Sequence, residues 1–235
     1  MEKECFRIPA GLQELPVRLI VNDELFAEFI CTPAELSDLV AGLLLSGGKI
    51  SSIHDICSFE FVEPCSEIRV STANPLFFGG ESFTKLVVEA LAEDFPSNTT
   101  ASSNSLPCDI MDKLSMLGKR MEELRSPGLH GAMLWSNDRT LFRQDISRHC
   151  AVDKVIGGGI KLGMVTASST LLTTGRISSE LLWKARMLHI PVIASIKYPS
   201  RTGELVASAW GITLACNILS QEARLLLPKC TEGCF

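Results

Sequence analysis

The spacing of apolar residues predicts a β-hairpin and a helix early in the chain. Apolar and polar positions alternate over residues 15–21 and 25–31, with Asn22-Asp23 between them, which is typical of two strands joined by a tight turn. The sequence TPAE at residues 32–35 has the form of a capping box, and apolar residues then repeat at helical spacing over 36–44. We therefore expect a hairpin followed by a capped helix.

The second half of the chain alternates between helical and strand patterns. From residue 109 onward the predicted order is α-β-β-α-β-α-β-α-β. Short strands separated by helices are typical of a three-layer α/β sandwich with a mixed sheet. Before residue 95, further alternating runs at 59–61 and 68–70 and a helical pattern at 83–91 predict a smaller β-rich part. The segments predicted in the second half are helices at 110–124, from about 149, at 178–188 and 202–209, and strands at 131–135, 140–143, 171–174, 192–196 and 212–217.

Residues 95–107, FPSNTTASSNSLP, separate these two parts. They are small and polar, and aliphatic side chains are almost absent from them, which is typical of a mobile loop. We therefore divide the chain into an α+β N-terminal subdomain (1–94), a mobile loop that ends on Cys108 (95–108) and an α/β core (109–235).

Composition excludes several classes of protein. The net charge is −5 without a basic stripe, which argues against nucleic acid as a partner. No run of about 18 apolar residues is free of charges or helix breakers, and the N-terminus has no signal-peptide pattern, so we predict no membrane association. Nine cysteines at irregular spacing in a chain that is 46% hydrophobic indicate a reduced, cytoplasmic protein. We expect four of them to be core residues: Cys31, Cys57, Cys150 and Cys216.

One short segment concentrates charge at a predicted transition from strand to helix. Asp145, Arg148, His149, Asp153 and Lys154 place five ionisable side chains within ten positions, and a glycine run follows at residues 157–159. A half-buried polar cluster requires partners, and an anionic ligand is one such partner. A capped helix start with local salt bridges is the alternative interpretation.

Three segments follow predicted strands at the edge where ligands bind in open α/β sheets. They are Arg148-His149, residues 174–178 and residues 196–202. The second and third lead into Ser or Thr at a predicted helix N-cap, where free backbone N–H groups point outward. Together with the cations Arg176, Lys197 and Arg201, these segments predict a phosphate-binding rim.

The chain resembles the FdhD/NarQ family, the accessory sulfurtransferases that formate dehydrogenase requires. The resemblance extends over nearly the whole chain and rests on several separate motifs in the expected order. These are VNDELFAEFICTPAELSDLVAGLLLSGG, GLHGAMLW, RQDISRHCAVDKVIG, TTGRISSELLWKA and IPVIASIKYPSRTGELVASAWGITL.

The resemblance implies a sulfur carrier with a cytidine-deaminase-like core that forms homodimers. Such a protein accepts sulfur from a cysteine desulfurase as a cysteine persulfide. It passes the sulfur to the molybdenum of bis-molybdopterin guanine dinucleotide before this cofactor enters formate dehydrogenase. The pocket that holds the cofactor's guanine dinucleotide ends would then comprise His130, His149, Lys154, Arg176, Ile196, Lys197, Tyr198, Pro199, Ser200 and Arg201.

The zinc chemistry of deaminases is absent from the motifs. A zinc deaminase requires H-x-E or C-x-E at the start of one helix and P-C-x-x-C at the start of the next. Here the first helix opens with His149-Cys150-Ala151, without the glutamate, and residues 175–179 contain no cysteine. We therefore predict that no zinc is bound.

The sulfur-handling motif differs from the family pattern. The family typically has C-G-x-C-G, whereas this chain has SSNSLPC at residues 102–108. One alignment places Ser105 and Cys108 at the two cysteine positions, and the other places Asn104 and Pro107 there. Cys108 precedes a predicted helix N-terminus, where the helix dipole favours the thiolate, so we predict that Cys108 carries the persulfide.

Three functions follow from these observations. The first is sulfur transfer through Cys108. The second is a paralogue that binds the molybdenum cofactor or a guanine nucleotide as a chaperone, without sulfur transfer. The third, a nucleotide-modifying hydrolase, requires a tightly bound metal.

Overall fold

The structure is a computed structural model that describes residues 13–62, 66–76, 82–92 and 110–228. Within these residues the chain forms two mixed sheets and six α-helices. The prediction of a mixed α/β fold is confirmed. The likeness of the larger part to a cytidine deaminase core stays a prediction.

The N-terminal sheet has the strand order β2-β1-β4-β3. Its hairpin turns at Asn22-Asp23, where both residues have positive φ angles of 51° and 66°, as a two-residue hairpin turn requires. Strand β1 also pairs in parallel with β4, and β4 is antiparallel to β3. The four strands are β1 (Leu15–Val21), β2 (Glu24–Cys31), β3 (Ile56–Val62) and β4 (Glu67–Thr72).

The larger sheet has the strand order β10-β9-β8-β7-β5-β6, with β7, β8 and β9 parallel and the others antiparallel to their neighbours. One face packs against α3 and the other against α4, α5 and α6, so helices cover both faces. The strands are β5 (His130–Ser136), β6 (Arg139–Asp145), β7 (Thr170–Thr173), β8 (Val192–Ser195), β9 (Thr213–Cys216) and β10 (Arg224–Leu226). The helices are α1 (Leu36–Ser46), α2 (Phe83–Ala92), α3 (Ile110–Leu124), α4 (Arg148–Lys161), α5 (Ser179–Met187) and α6 (Arg201–Ala209).

Helix α1 joins the two sheets by packing directly on α4. A Cβ atom on Gly42 would lie 1.9 Å from the backbone oxygen of Asp153, and one on Gly157 would lie 2.0 Å from that of Asp38. The glycines therefore bring the two helix backbones into contact at positions where no other residue fits. Helix α2 in turn contributes Ala90 to the core of the larger part. The boundaries at 94 and 109 lie outside the described residues, and the subdomain division stays a prediction.

The structure corrects two local predictions. Residues 32–35 form no capping box, because Glu35 at the N-cap of α1 is left-handed (φ 46°) and no side chain caps the helix. The Thr32 hydroxyl instead accepts a hydrogen bond from Ile146 N. Cys31, Cys150 and Cys216 are buried, whereas Cys57 is exposed on the edge strand β3, so its placement in the core was wrong.

None of the helices within residues 13–62, 66–76, 82–92 and 110–228 combines the length and the apolar composition that a membrane-spanning helix needs. The predicted loop at 95–108 and its cysteine lie outside these ranges.

Candidate functional site

The carboxyl ends of β7 and β8 meet the starts of three helices at one edge of the larger sheet. The parallel pairing puts Thr173 beside Ser195, and Thr174 N donates to Gly131 O next to the start of β5. Since β5 begins and β6 ends at this edge, His130 lies opposite Asp145. The sequence-predicted segments at 148–149, 174–178 and 196–202 are therefore at one sheet edge.

The charged segment at 145–154 divides into internal ion pairs and pocket residues. Lys154 Nζ lies 2.6 Å from Asp145 Oδ2, and both side chains are fully buried. Lys184 Nζ lies 2.7 Å from Asp153 Oδ2 and donates to both carboxylate oxygens. Three of the five charges thus have protein partners, as in the salt-bridge interpretation of this segment, and Arg148 and His149 line a pocket.

This pocket is a shallow depression where α4 and α5 begin, with about 10 Å³ open to the centre of a water molecule. Arg148 and Arg176 enter it from different elements, and neither has an ion-pair partner within the described part of the chain. Two unpaired guanidinium groups at one small site favour an anionic ligand, which accepts their fork-shaped donors. The pocket is lined by Arg148, His149, Val152, Thr173, Arg176, Ser178, Leu181 and Lys184.

Ser178 adds a hydroxyl to the same pocket. It is the N-cap residue of α5, but its side chain makes no capping hydrogen bond, whereas Ser147 and Ser200 cap α4 and α6. The free backbone N–H groups of the α5 N-terminus lie beside it, and the helix dipole makes this end positive. Ser178 is therefore available to donate a hydrogen bond to a bound anion.

His149 lies between the pocket and Glu180. Its Nε2 is 3.2 Å from Glu180 Oε2, yet this nitrogen is buried and makes no hydrogen bond. Burial lowers the pKa of His149; the Glu180 carboxylate raises it, but Lys184 and Arg148 lower it further. The imidazole is consequently neutral at neutral pH in this arrangement, and an anion in the pocket favours its protonation.

His130 stands behind Arg148 at the start of β5. Burial lowers the pKa of His130, and the positive charges of Arg148 and Arg125 lower it further. It does not line the pocket, although it lies within electrostatic range of His149. His130 therefore lies at the same sheet edge as the pocket, next to the residues that line it.

Lys154 is not accessible to a ligand. Its side chain is fully buried, and its Nζ contacts Asp145 and donates to Thr32 O at 2.9 Å. The prediction that Lys154 contacts a cofactor is therefore wrong for this arrangement, because its ammonium group is bound to Asp145 and Thr32 inside the protein. Lys184, four residues after Glu180 on α5, contributes a cation to the pocket wall instead.

Residues 196–201 lie at the same sheet edge but outside the pocket lining. Lys197 is exposed, Tyr198 donates its hydroxyl to Glu222 at 2.6 Å, and Arg201 pairs with Glu204 at 3.1 Å. The segment is held to the pocket's side by the hydrogen bond from Ser200 N to Ile177 O. Of the remaining residues, Ile196 and Pro199 are half-buried and Ser200 is exposed. These six residues, which were predicted to bind the cofactor, therefore lie near the pocket but do not line it.

The sequence-predicted rim segment at 174–178 included Ser178, whereas four other lining residues were overlooked: Val152, Thr173, Leu181 and Lys184. A usable signal was present for Lys184, because it follows Glu180 at the i,i+4 spacing in the TTGRISSELLWKA motif. No group of three or more His, Cys, Asp or Glu side chains suited to a metal ion occurs among the described residues. Cys108 lies outside them.

Comparisons with known proteins agree on one family. The family model of the FdhD/NarQ family matches residues 12–226. The sulfur carrier protein FdhD of Listeria innocua is 30% identical over 215 residues, covering 85% of this chain and 82% of that protein. The protein of the same name from Bacillus subtilis is 28% identical over 214 residues, covering 85% of this chain and 81% of that protein.

A solved structure gives the same result. The crystal structure described as a formate dehydrogenase accessory protein from Desulfotalea psychrophila has a TM-score of 0.68 and 26% sequence identity. The match covers 91% of this chain and 87% of that chain. The arrangement of strands and helices described above is therefore similar to that of this solved accessory protein.

Proposed function

We propose that this chain, which belongs to the FdhD/NarQ family, is a sulfur carrier that supports formate dehydrogenase. In this proposal Cys108 accepts sulfur from a cysteine desulfurase. The Cys108 thiolate attacks the terminal sulfur of the desulfurase persulfide, the S–S bond of the donor breaks, and the donor leaves as a thiolate. In the second transfer the S–S bond of this persulfide breaks and Cys108 leaves as a thiolate. Its terminal sulfur passes to the molybdenum of the substrate, bis-molybdopterin guanine dinucleotide, and a reduced molybdenum would supply the two electrons that make it a sulfido ligand.

The pair of unpaired arginines at the pocket carries the proposal. Arg148 and Arg176 converge there with the Ser178 hydroxyl and the N-terminus of α5, a combination suited to a pyrophosphate group. The depression leaves only about 10 Å³ open to the centre of a water molecule, far less than the roughly 300–1,000 Å³ of pockets that enclose drug-sized ligands. We infer that its arginines contact the phosphate oxygens of one guanine dinucleotide arm at the surface, while the rest of the cofactor extends beyond it.

Sulfur uptake from a desulfurase tests the carrier role. The protein is incubated with a cysteine desulfurase and L-cysteine, and its intact mass is measured before and after reduction. We expect one added sulfur that reductant removes. Cys108→Ala should abolish this addition, and the matched variant Cys57→Ala, which removes the exposed cysteine on β3, should leave it unchanged. Uptake by Cys108→Ala equal to that of the wild type would refute the role of Cys108.

One sequence observation favours a second function. The alignment that places Cys108 at the second cysteine position puts Ser105 at the first, so a second thiol that could receive the sulfur is missing there. The chain would then bind the cofactor or a guanine nucleotide as a chaperone without transferring sulfur. Binding of guanosine diphosphate together with no sulfur uptake would favour this function over the carrier.

A further inference from the structure

A group of buried polar atoms lies directly behind the pocket and connects it to the N-terminal part. The Asp145 carboxylate accepts hydrogen bonds from Ser147 N at 2.8 Å and from Thr32 N at 3.0 Å. Asp145 and Lys154 are fully buried, and Thr32 is 4% exposed. Residues 113 positions apart in the chain thus share one network without access to water.

Thr32 contacts this network through three different atoms. Its N–H donates to Asp145, its carbonyl oxygen accepts from Lys154 Nζ, and its hydroxyl oxygen accepts from Ile146 N at 3.1 Å. The backbone amides of Ile146 and Ser147 are therefore both bound by the network. These are the last two residues before α4 begins with Arg148 and His149.

We propose that Thr32, Asp145 and Lys154 form a buried clamp that positions Arg148 and His149 in the pocket. The inference rests on the proposed function, since it assigns these residues a role in binding the anionic ligand. None of the three lines the pocket, so they are positioning residues that act through the turn at residues 146–147. The N-terminal part, through Thr32, is then needed for ligand binding in the larger part.

The C-terminal end of α4 provides a control that distinguishes positioning of the pocket residues from general stability of the protein. There Asp38 of α1 pairs with Arg143 at 2.9 Å and with Lys161 at 2.8 Å. These contacts also fix α1 to its neighbours, but they lie far along α4 from the pocket. Asp38→Asn is consequently a matched control that weakens the same helix–helix contact without touching the clamp.

Guanosine diphosphate binding to the full chain tests the clamp. Thr32→Val keeps the shape of the side chain and its backbone contacts but removes the acceptor for Ile146 N. We expect it to weaken the Kd by about three- to tenfold, the worth of one buried hydrogen bond. Thr32→Ser, which retains the hydroxyl, should restore binding, and Asp38→Asn should change the Kd less than twofold even if it lowers Tm. Unchanged binding by Thr32→Val, or failure of Thr32→Ser to restore it, would overturn the proposal.

A second measurement keeps this inference separate from the proposed function. If the wild type does not bind guanosine diphosphate, the proposed pocket ligand is wrong, and the His149 titration by NMR decides the clamp alone. The groups that face His149 are Glu180, Lys184, Arg148 and His130. If Thr32→Val loosens the turn, the pKa of His149 should rise towards its ordinary value as the imidazole gains access to water. An unchanged His149 titration would overturn the clamp.

Discussion

The two ends of helix α4 carry similar charges in different surroundings. At the C-terminal end, Asp38 accepts hydrogen bonds from Arg143 and Lys161, so the cations there are neutralised within the protein. At the N-terminal end, Arg148 faces a pocket beside Arg176, and neither has an ion-pair partner in the described residues. One end of the helix is therefore complete by itself, and the other is suited to an anion from outside.

The buried pair behind the N-terminal end should show the largest effect on stability. Lys154→Met leaves the Asp145 carboxylate buried without its cation, and breaking a buried ion pair costs about 3–5 kcal/mol. Lys161→Met removes a partly exposed cation at the other end, and we expect about 0–1 kcal/mol. The free energies of unfolding from urea titration test this difference. Equal losses in the two variants would contradict the closed network seen at Asp145.

The arginines at the N-terminal end of α4 should control ligand binding. Arg148→Ala and Arg176→Ala should each weaken guanosine diphosphate binding by roughly 10- to 150-fold, because a hydrogen bond to a charged group contributes about 1.5–3 kcal/mol. Their effect on the free energy of unfolding should be small, since neither arginine has an ion-pair partner in the described part of the protein. Isothermal titration calorimetry measures the Kd. Lys161→Ala is the control, and a comparable loss of affinity in that variant would remove the distinction between the two ends.

At the C-terminal end of α4, the loss of stability caused by Asp38→Asn should disappear in acid. Burial raises the pKa of Asp38, but the hydrogen bonds from Lys161 and Arg143 outweigh it and hold the pKa below its ordinary value. The folded state then favours the carboxylate, so its stabilisation is present above the ordinary pKa of about 4 and is lost as the pH falls through the lower folded value. Asp38→Asn should cost about 1–3 kcal/mol at pH 7 and progressively less below pH 4. A difference from the wild type that is constant down to pH 2 would contradict this assignment.

The sequence predicted the order of strands and helices because amphipathic periodicity is a local property. The hairpin at Asn22-Asp23 and the alternation from α3 to β9 followed directly from it. Strand β10, only three residues long, escaped notice because it has no alternation to detect.

The candidate site was predictable only in part. Topology placed Arg148, His149 and Arg176 at one sheet edge, since carboxyl ends of parallel strands coincide there. Local patterns did not reveal that Lys154 pairs with Asp145 or that Thr32 binds Ile146 across the protein. Those contacts depend on how α1 packs on α4 through Gly42 and Gly157, which is a long-range feature with no periodic signal. The same packing explains why Thr32, which looked like a helix cap, serves a different partner.

The smallest expected effect is the change with pH in the Kd of the pocket at the N-terminal end of α4. Burial lowers the pKa of His149, so the free protein holds it neutral at pH 7.5, and a bound phosphate favours the charged form. Binding then takes up a proton, and the Kd should decrease by a few-fold between pH 7.5 and 6.5. His149→Asn should lose this decrease. His189→Asn should retain it, because His189 lies between α5 and the start of β8, at the end of the strands opposite to the pocket. Calorimetry in two buffers of different ionisation enthalpy measures the proton uptake directly, and equal uptake in both variants would mean that another group than His149 responds to the ligand.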